Sequence, residues 1–174
     1  NDTKTQRIGF GTLTAGVVAG GNPSTTAVEE YDGSTWTNVT VMPAASWDKG
    51  GFGTETSGAV FGGGAPSILD STFEYNGASW TAGGTMVTGA KVITGNGATQ
   101  DAGMVVGGEV PAVSNQAATY DGATWTAITV YPASVAGAYS NGPNTDAVVA
   151  GGYPPPAVAT GARWDGSSWT ATPS

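Results

Sequence analysis

The chain has 174 residues and a formal net charge of −8, from 13 acidic against 5 basic side chains, and it contains neither histidine nor cysteine. That composition excludes disulfide stapling and imidazole or thiolate chemistry, and it lacks the clustered Lys and Arg that phosphate binding requires, so no nucleic-acid partner is expected. With 29 Gly but 39% hydrophobic residues and 6 Trp, the chain can still bury enough surface to offset its conformational entropy, and no apolar run approaches the ~20 residues of a bilayer span, so no membrane insertion is expected.

The first predicted strands are "RIGFGTL", near residues 7–13, and "AGVVAGG", residues 15–21, an apolar run stopped by Gly20-Gly21. "TAVEEY" and "STWTNV" follow as a hairpin joined at Asp32-Gly33, a dipeptide that favours the positive φ angles of a two-residue type I′ turn. Period-two alternation sends Trp36 to one face of its strand and the flanking hydroxyls to the other. Asn38-Val39-Thr40 matches the N-glycosylation pattern, which matters only in a secreting eukaryotic host.

The same four segments then recur. Second, third and fourth copies of the apolar run end at Gly62-Gly63, Gly107-Gly108 and Gly151-Gly152. Each is followed by an aromatic and, five residues on, a Trp: Tyr31 and Trp36, Tyr75 and Trp80, Tyr120 and Trp125, Trp164 and Trp169. The four Trp are 44, 45 and 44 residues apart. Four short strands per period, with no helical pattern, are the signature of propeller blades. The expected fold is therefore an all-β propeller of four four-stranded antiparallel blades in a single domain, residues 1–174, with approximate blades 5–43, 44–88, 89–133 and 134–174. Gly9, Gly11, Gly50, Gly51, Gly53, Gly95, Gly97, Ala136, Gly137 and Ala138 fall in the first strand of each blade, where small residues suit a crowded axis. A compact four-bladed ring is the favoured arrangement, with a larger ring built from two chains and a fragment of a larger propeller as alternatives. Beginning at Asn1 rather than Met, the chain is expected to be processed or a piece of a longer one.

The glycine pair, the aromatic and the Trp together resemble the kelch repeat, over nearly the whole chain. The form "EYDGSTWT" with the Gly-rich "GGFGTETSGAVFGGG" is similar to kelch-like repeats of marine bacteriophage structural and appendage proteins. The resemblance implies a non-enzymatic module in a virion or other extracellular assembly, with protein neighbours as partners. The step from aromatic to Trp is shorter than is usual in kelch repeats, which points away from actin binding or substrate-adaptor work.

The remaining residues offer little chemistry. Adjacent strand residues point to opposite faces, so Glu29 and Glu30 cannot flank one glycosidic bond. Asp32, Asp121 and Asp165, replaced by Asn76 in the second copy, read as turn residues rather than calcium ligands. No Lys-Ser or Lys-Thr follows the glycine pairs, so they read as strand ends rather than phosphate loops. No enzyme activity, cofactor or metal is expected. The repeated Trp and their aromatic partners are expected to pack between blades, each burying about 200 Å² for roughly 5 kcal/mol gross. Trp47, outside the repeat, and Tyr153 with Pro154, in the loop after the last glycine pair, are the candidate contact surface. Surface glycan is the alternative ligand, since aromatic faces can stack on sugars.

Overall fold

A computed structural model describes residues 4–153 and 161–172. Blade one comprises β1 (Ile8–Thr12), β2 (Ala15–Ala19), β3 (Val28–Tyr31) and β4 (Trp36–Asn38). Blade two comprises β5 (Gly50–Thr54), β6 (Ser57–Phe61), β7 (Thr72–Tyr75) and β8 (Trp80–Ala82). Blade three contains β9 (Thr94–Gly97), β10 (Gly103–Val106), β13 (Ala117–Tyr120) and β14 (Trp125–Ala127), and its long loop carries the small hairpin β11 (Glu109–Val110) and β12 (Ala112–Val113). Blade four is β15 (Tyr139–Asn141), β16 (Ala147–Ala150), β17 (Gly161–Trp164) and β18 (Trp169–Ala171). Every blade is an antiparallel four-stranded meander, so the fold is an all-β propeller of four blades.

The glycine pairs end the second strand of each blade because both members take positive φ, 68° and 125° at Gly20 and Gly21, and side chains are strained there. The expected two-residue turn at Asp-Gly is corrected. Tyr31 pairs with Trp36, so four residues make the connection, and of Asp32 and Gly33 only the glycine has positive φ, at 93°. Asp32 Oδ1 accepts from the backbone N–H of Ser34 at 2.8 Å and of Thr35 at 2.7 Å. Asn76 Oδ1 does the same for Ala78 and Ser79 at 3.0 and 2.8 Å. The side-chain carbonyl or carboxylate oxygen closes the loop, which is why Asp and Asn interchange here.

The first strand of blade four begins only at Tyr139; Ala136, Gly137 and Ala138 precede it, with Gly137 at φ 60°. The role expected of the small residues also changes. A Cβ on Gly58 would lie 2.2 Å from Phe10 Cε2, one on Gly51 2.8 Å from Ile8, and one on Gly103 1.8 Å from Phe52 Cζ. Glycines on one blade are holes for large side chains of the blade before it. The axis is not crowded, for the first strands of all four blades line a cavity of about 200 Å³.

Three apolar clusters hold the blades together. Val17, Ala19 and Met42 meet Val60 and Tyr75 between blades one and two. Phe52 and Phe61 meet Val105, Tyr120 and Trp125 between blades two and three. Met104 and Val106 meet Val149, Ala162 and Trp164 between blades three and four. Hydrogen bonds repeat across two of the seams: Tyr75 Oη donates to Glu30 at 2.6 Å and Tyr120 Oη to Glu74 at 2.7 Å. β1 packs on β5, β5 on β9 and β9 on β15, but β15 has no comparable packing on β1. Among the described residues the seam between blades four and one is therefore open, where the compact ring was expected to close. The same open seam corrects the expectation that every repeated Trp is packed between blades. Trp125 is buried, Trp80 and Trp169 are half-buried, and Trp36, at the open seam, is 48% exposed.

Candidate functional site

Antiparallel pairing brings the start of each first strand, the glycine pair, the loop after it and the connection from the preceding blade to one end of the propeller. At that end a second repeat appears, which the residue types conceal. Thr5 bridges to Asn22, Trp47 to Gly64, Lys91 to Glu109 and Ala136 to Tyr153, so Trp47 and Tyr153 sit on equivalent two-residue ladders of different blades. The next residue in each copy, Gln6, Asp48, Val92 and Gly137, is left-handed, with φ of 56°, 53°, 53° and 60°. Two of them join neighbouring blades: Val92 N donates to Asp48 O and Gly137 N to Val92 O, each at 2.8 Å.

Trp47 is half-buried because its ring lies over Gly64, which offers no side chain to displace it. With Ser24, Ala45, Ala65 and Pro66 it lines an open cleft of about 340 Å³. Tyr153 is 38% exposed, and its hydroxyl donates to Glu109 Oε1 at 2.6 Å while Lys91 Nζ lies 3.2 Å from Oε2. The Tyr153 hydroxyl holds the Glu109 carboxyl below its usual range, Lys91 assisting against burial. Burial and the same carboxylate push the Tyr153 hydroxyl up to about 12. Pro154, expected beside Tyr153, lies outside the described residues.

At the same end the axis opens through a mouth of about 320 Å³, lined by Gln6, Arg7, Asp48, Lys49, Val92 and Tyr139 among others. Its charges are engaged. Arg7 pairs with Glu29 and its Nη2 donates to Val18 O at 3.3 Å, and Lys49 Nζ donates to Ser46 O at 2.6 Å. Burial, with the Arg7 charge adding, lowers Lys49 to about 8. Burial raises the Asp48 carboxyl, with Lys91 opposing.

Glu29 and Glu30 diverge, one to Arg7 within the blade and the other to Tyr75 of the next blade. The three turn aspartates accept from their own loops. Among the described residues no three Asp or Glu side chains gather where they could hold a metal ion. Sequence reasoning brought out Trp47 and Tyr153 but missed Gln6, Arg7, Asp48, Lys49, Lys91 and Glu109. Their four positions in the repeat carry different side chains from blade to blade, so only the backbone pairing and conformation reveal them.

No protein-family model matches the chain, and no curated protein matches it. Among solved structures, one titled "Structure of YjhT" is similar over 98% of this chain, with a TM-score of 0.80 and 14% identity. The chain spans 65% of that one's length. At this identity the likeness shows the fold alone.

Proposed function

We propose that this chain is a non-enzymatic, kelch-like interaction module of a virion or other extracellular assembly, contacting protein neighbours through the loop end of the propeller. The observation that carries this reading is the Trp47 cleft. It is open and apolar, edged by Pro66 and Ala65, and seated on a rigid sheet end. Half-buried Trp in such a setting supplies contact energy at little entropic cost, as in the centres of protein interfaces. The carboxylates support the same reading, since Glu29, Glu30, Glu74, Glu109 and Asp146 each engage a structural partner. The kelch-like spacing of glycine pair, aromatic and Trp, in its phage-like form, supports the placement in a virion.

A photo-reactive amino acid at position 47, within the intact assembly, tests it. A specific cross-link to a protein neighbour is expected, and Trp47→Ala should abolish binding of that neighbour; cross-linking no different from that of an exposed control position such as Ser34 refutes it.

Glycan recognition is the second reading, favoured by one observation: the exposed Tyr153 ring stands beside a carboxylate and an ammonium, the pairing of a stacking face with polar groups that orients a sugar. Glycan-array binding abolished by Tyr153→Ala would establish it over the first.

A further inference from the structure

Three asparagines of the chain are followed by glycine: Asn76-Gly77, Asn96-Gly97 and Asn141-Gly142. Glycine has no Cβ to shield its own peptide nitrogen, so that nitrogen can attack the preceding asparagine's Cγ in a reaction whose partners are already tethered. By sequence the three pairs are equivalent. Their settings in the fold are not.

Asn76 lies in the exposed loop between β7 and β8. Its Oδ1 accepts from the backbone N–H of Ala78 at 3.0 Å and of Ser79 at 2.8 Å, and from the Ser79 hydroxyl at 3.3 Å. These bonds draw the side chain back over the peptide that joins residues 76 and 77. They also aim donors at the oxygen that turns negative when Cγ is attacked, as an oxyanion hole does. Asn96 is the opposite case. It is 6% exposed and fixed in β9 by pairing with Met104. Its Nδ2 donates to Gly142 O at 2.9 Å and its Oδ1 is buried without a partner, so the leaving group is held and no donor meets the developing charge. Asn141 is exposed at the end of β15, but its Oδ1 accepts from Gly142 N at 2.8 Å. The N–H that must be given up there is the one that holds the side chain, and the same glycine is anchored by Asn96.

We propose that Asn76 is a site of spontaneous deamidation, to which the fold directs the reaction from among three like pairs. The Gly77 nitrogen gives its proton to solvent and bonds to Asn76 Cγ; the bond from Cγ to Nδ2 breaks, and Nδ2 takes up a proton and leaves as ammonia into solvent. Water then opens the five-membered imide. Opening at Cγ leaves aspartate at position 76, and opening at the main-chain carbonyl leaves isoaspartate, which adds a methylene to the backbone. Aspartate suits the loop, since Asp32, Asp121 and Asp165 close the same loop in the other three blades. The site is at the hairpin end of blade two, away from the loop end that carries Trp47, and its failure would leave the reading of the Trp47 cleft standing.

Timed peptide mapping by mass spectrometry, on the folded chain in mildly alkaline buffer, tests the proposal. The mass gain of amide-to-acid exchange is expected at Asn76 at least about tenfold faster than at Asn96 or Asn141, a difference in barrier of about 1.4 kcal/mol. In urea the three pairs should react at similar rates, which attributes the ranking to the fold. The Asn76→Asp chain supplies the reference peptide that separates aspartate from isoaspartate. Equal rates at the three sites of the folded chain overturn the proposal, as does earlier reaction at Asn96 or Asn141. An Asn76 that stays intact in the fold while the denatured chain reacts overturns it too.

Discussion

Replacing Gly103 with alanine tests the hole-and-knob packing of the seams. The added Cβ would lie 1.8 Å from Phe52 Cζ and 2.2 and 2.3 Å from its Cε atoms, whereas carbons in contact sit at about 3.5 to 4.0 Å. Phe52 would have to retreat by well over an ångström. It is 3% exposed and held against Phe61 at 5.4 Å and Trp125 at 6.3 Å between ring centroids, so retreat means repacking the seam between blades two and three. Overpacking of this kind costs about 1 to 3 kcal/mol, and the Phe61 and Trp125 rings packed on Phe52 place Gly103→Ala at the upper end. For a chain of this size about 3 kcal/mol lowers the thermal midpoint by roughly 6 to 12 °C. Gly16→Ala is the internal control: it is the same position in blade one, its nearest neighbours are Thr12 O at 3.3 Å and Tyr31 Cβ at 3.8 Å, and it should cost less than about 1 kcal/mol. Chemical and thermal denaturation followed by Trp fluorescence measure both. The double variant Phe52→Ala with Gly103→Ala should be less destabilised than the sum of its parts, because without the Phe52 ring the added methyl meets no clash and takes up part of the space the ring leaves. Equal effects of Gly103→Ala and Gly16→Ala would refute the reasoning.

Tyr120→Phe removes a hydroxyl that donates to Glu74 and accepts from Gly84 N at 3.1 Å; leaving both unpartnered in the seam should cost about 1.5 to 3 kcal/mol by urea denaturation. Lys49 is lowered from 10.5 to about 8 in the fold, so between those values the unfolded chain holds more protons and stability rises with pH; denaturation midpoints should climb from pH 8 to 9.5, and Lys49→Met should abolish that slope. The carboxyls of Asp32, Asp121 and Asp165 are lowered first by the backbone N–H of Thr35, Thr124 and Ser168 respectively, so the native state binds fewer protons than the unfolded chain and stability present above about pH 4 should be lost as pH falls below it. Asp121→Asn should preserve the thermal midpoint at pH 7, as Asn76 serves the same loop, while Asp121→Ala should lower it; equal midpoints for the two would show that the side-chain acceptor is dispensable.

The repeat was legible because it is written in residue types that the backbone demands. Gly20-Gly21 and its copies are needed where φ is positive, and Asp32, Asn76, Asp121 and Asp165 where an acceptor must close a four-residue loop. The length of that loop was misread, since Asp-Gly is common to two-residue and longer turns and the pairing of Tyr31 with Trp36 separates them. The axial mouth was not legible at all: left-handed Gln6, Asp48 and Val92 are imposed by bridges between distant segments, and no local preference marks them.

The order of the blade strands and the four-fold repeat within this chain follow from sequence alone, because strand, turn and strand end are local properties repeated at a fixed step; the hairpin of β11 and β12, outside that step, does not. Which aromatics are buried does not. Trp36 and Trp125 occupy identical places in the repeat, yet one is 48% exposed and the other 7%, because burial depends on whether another blade lies opposite. Only the tertiary structure decided that, since three seams are packed, the fourth is open, and a side chain buries its surface only against atoms that are there.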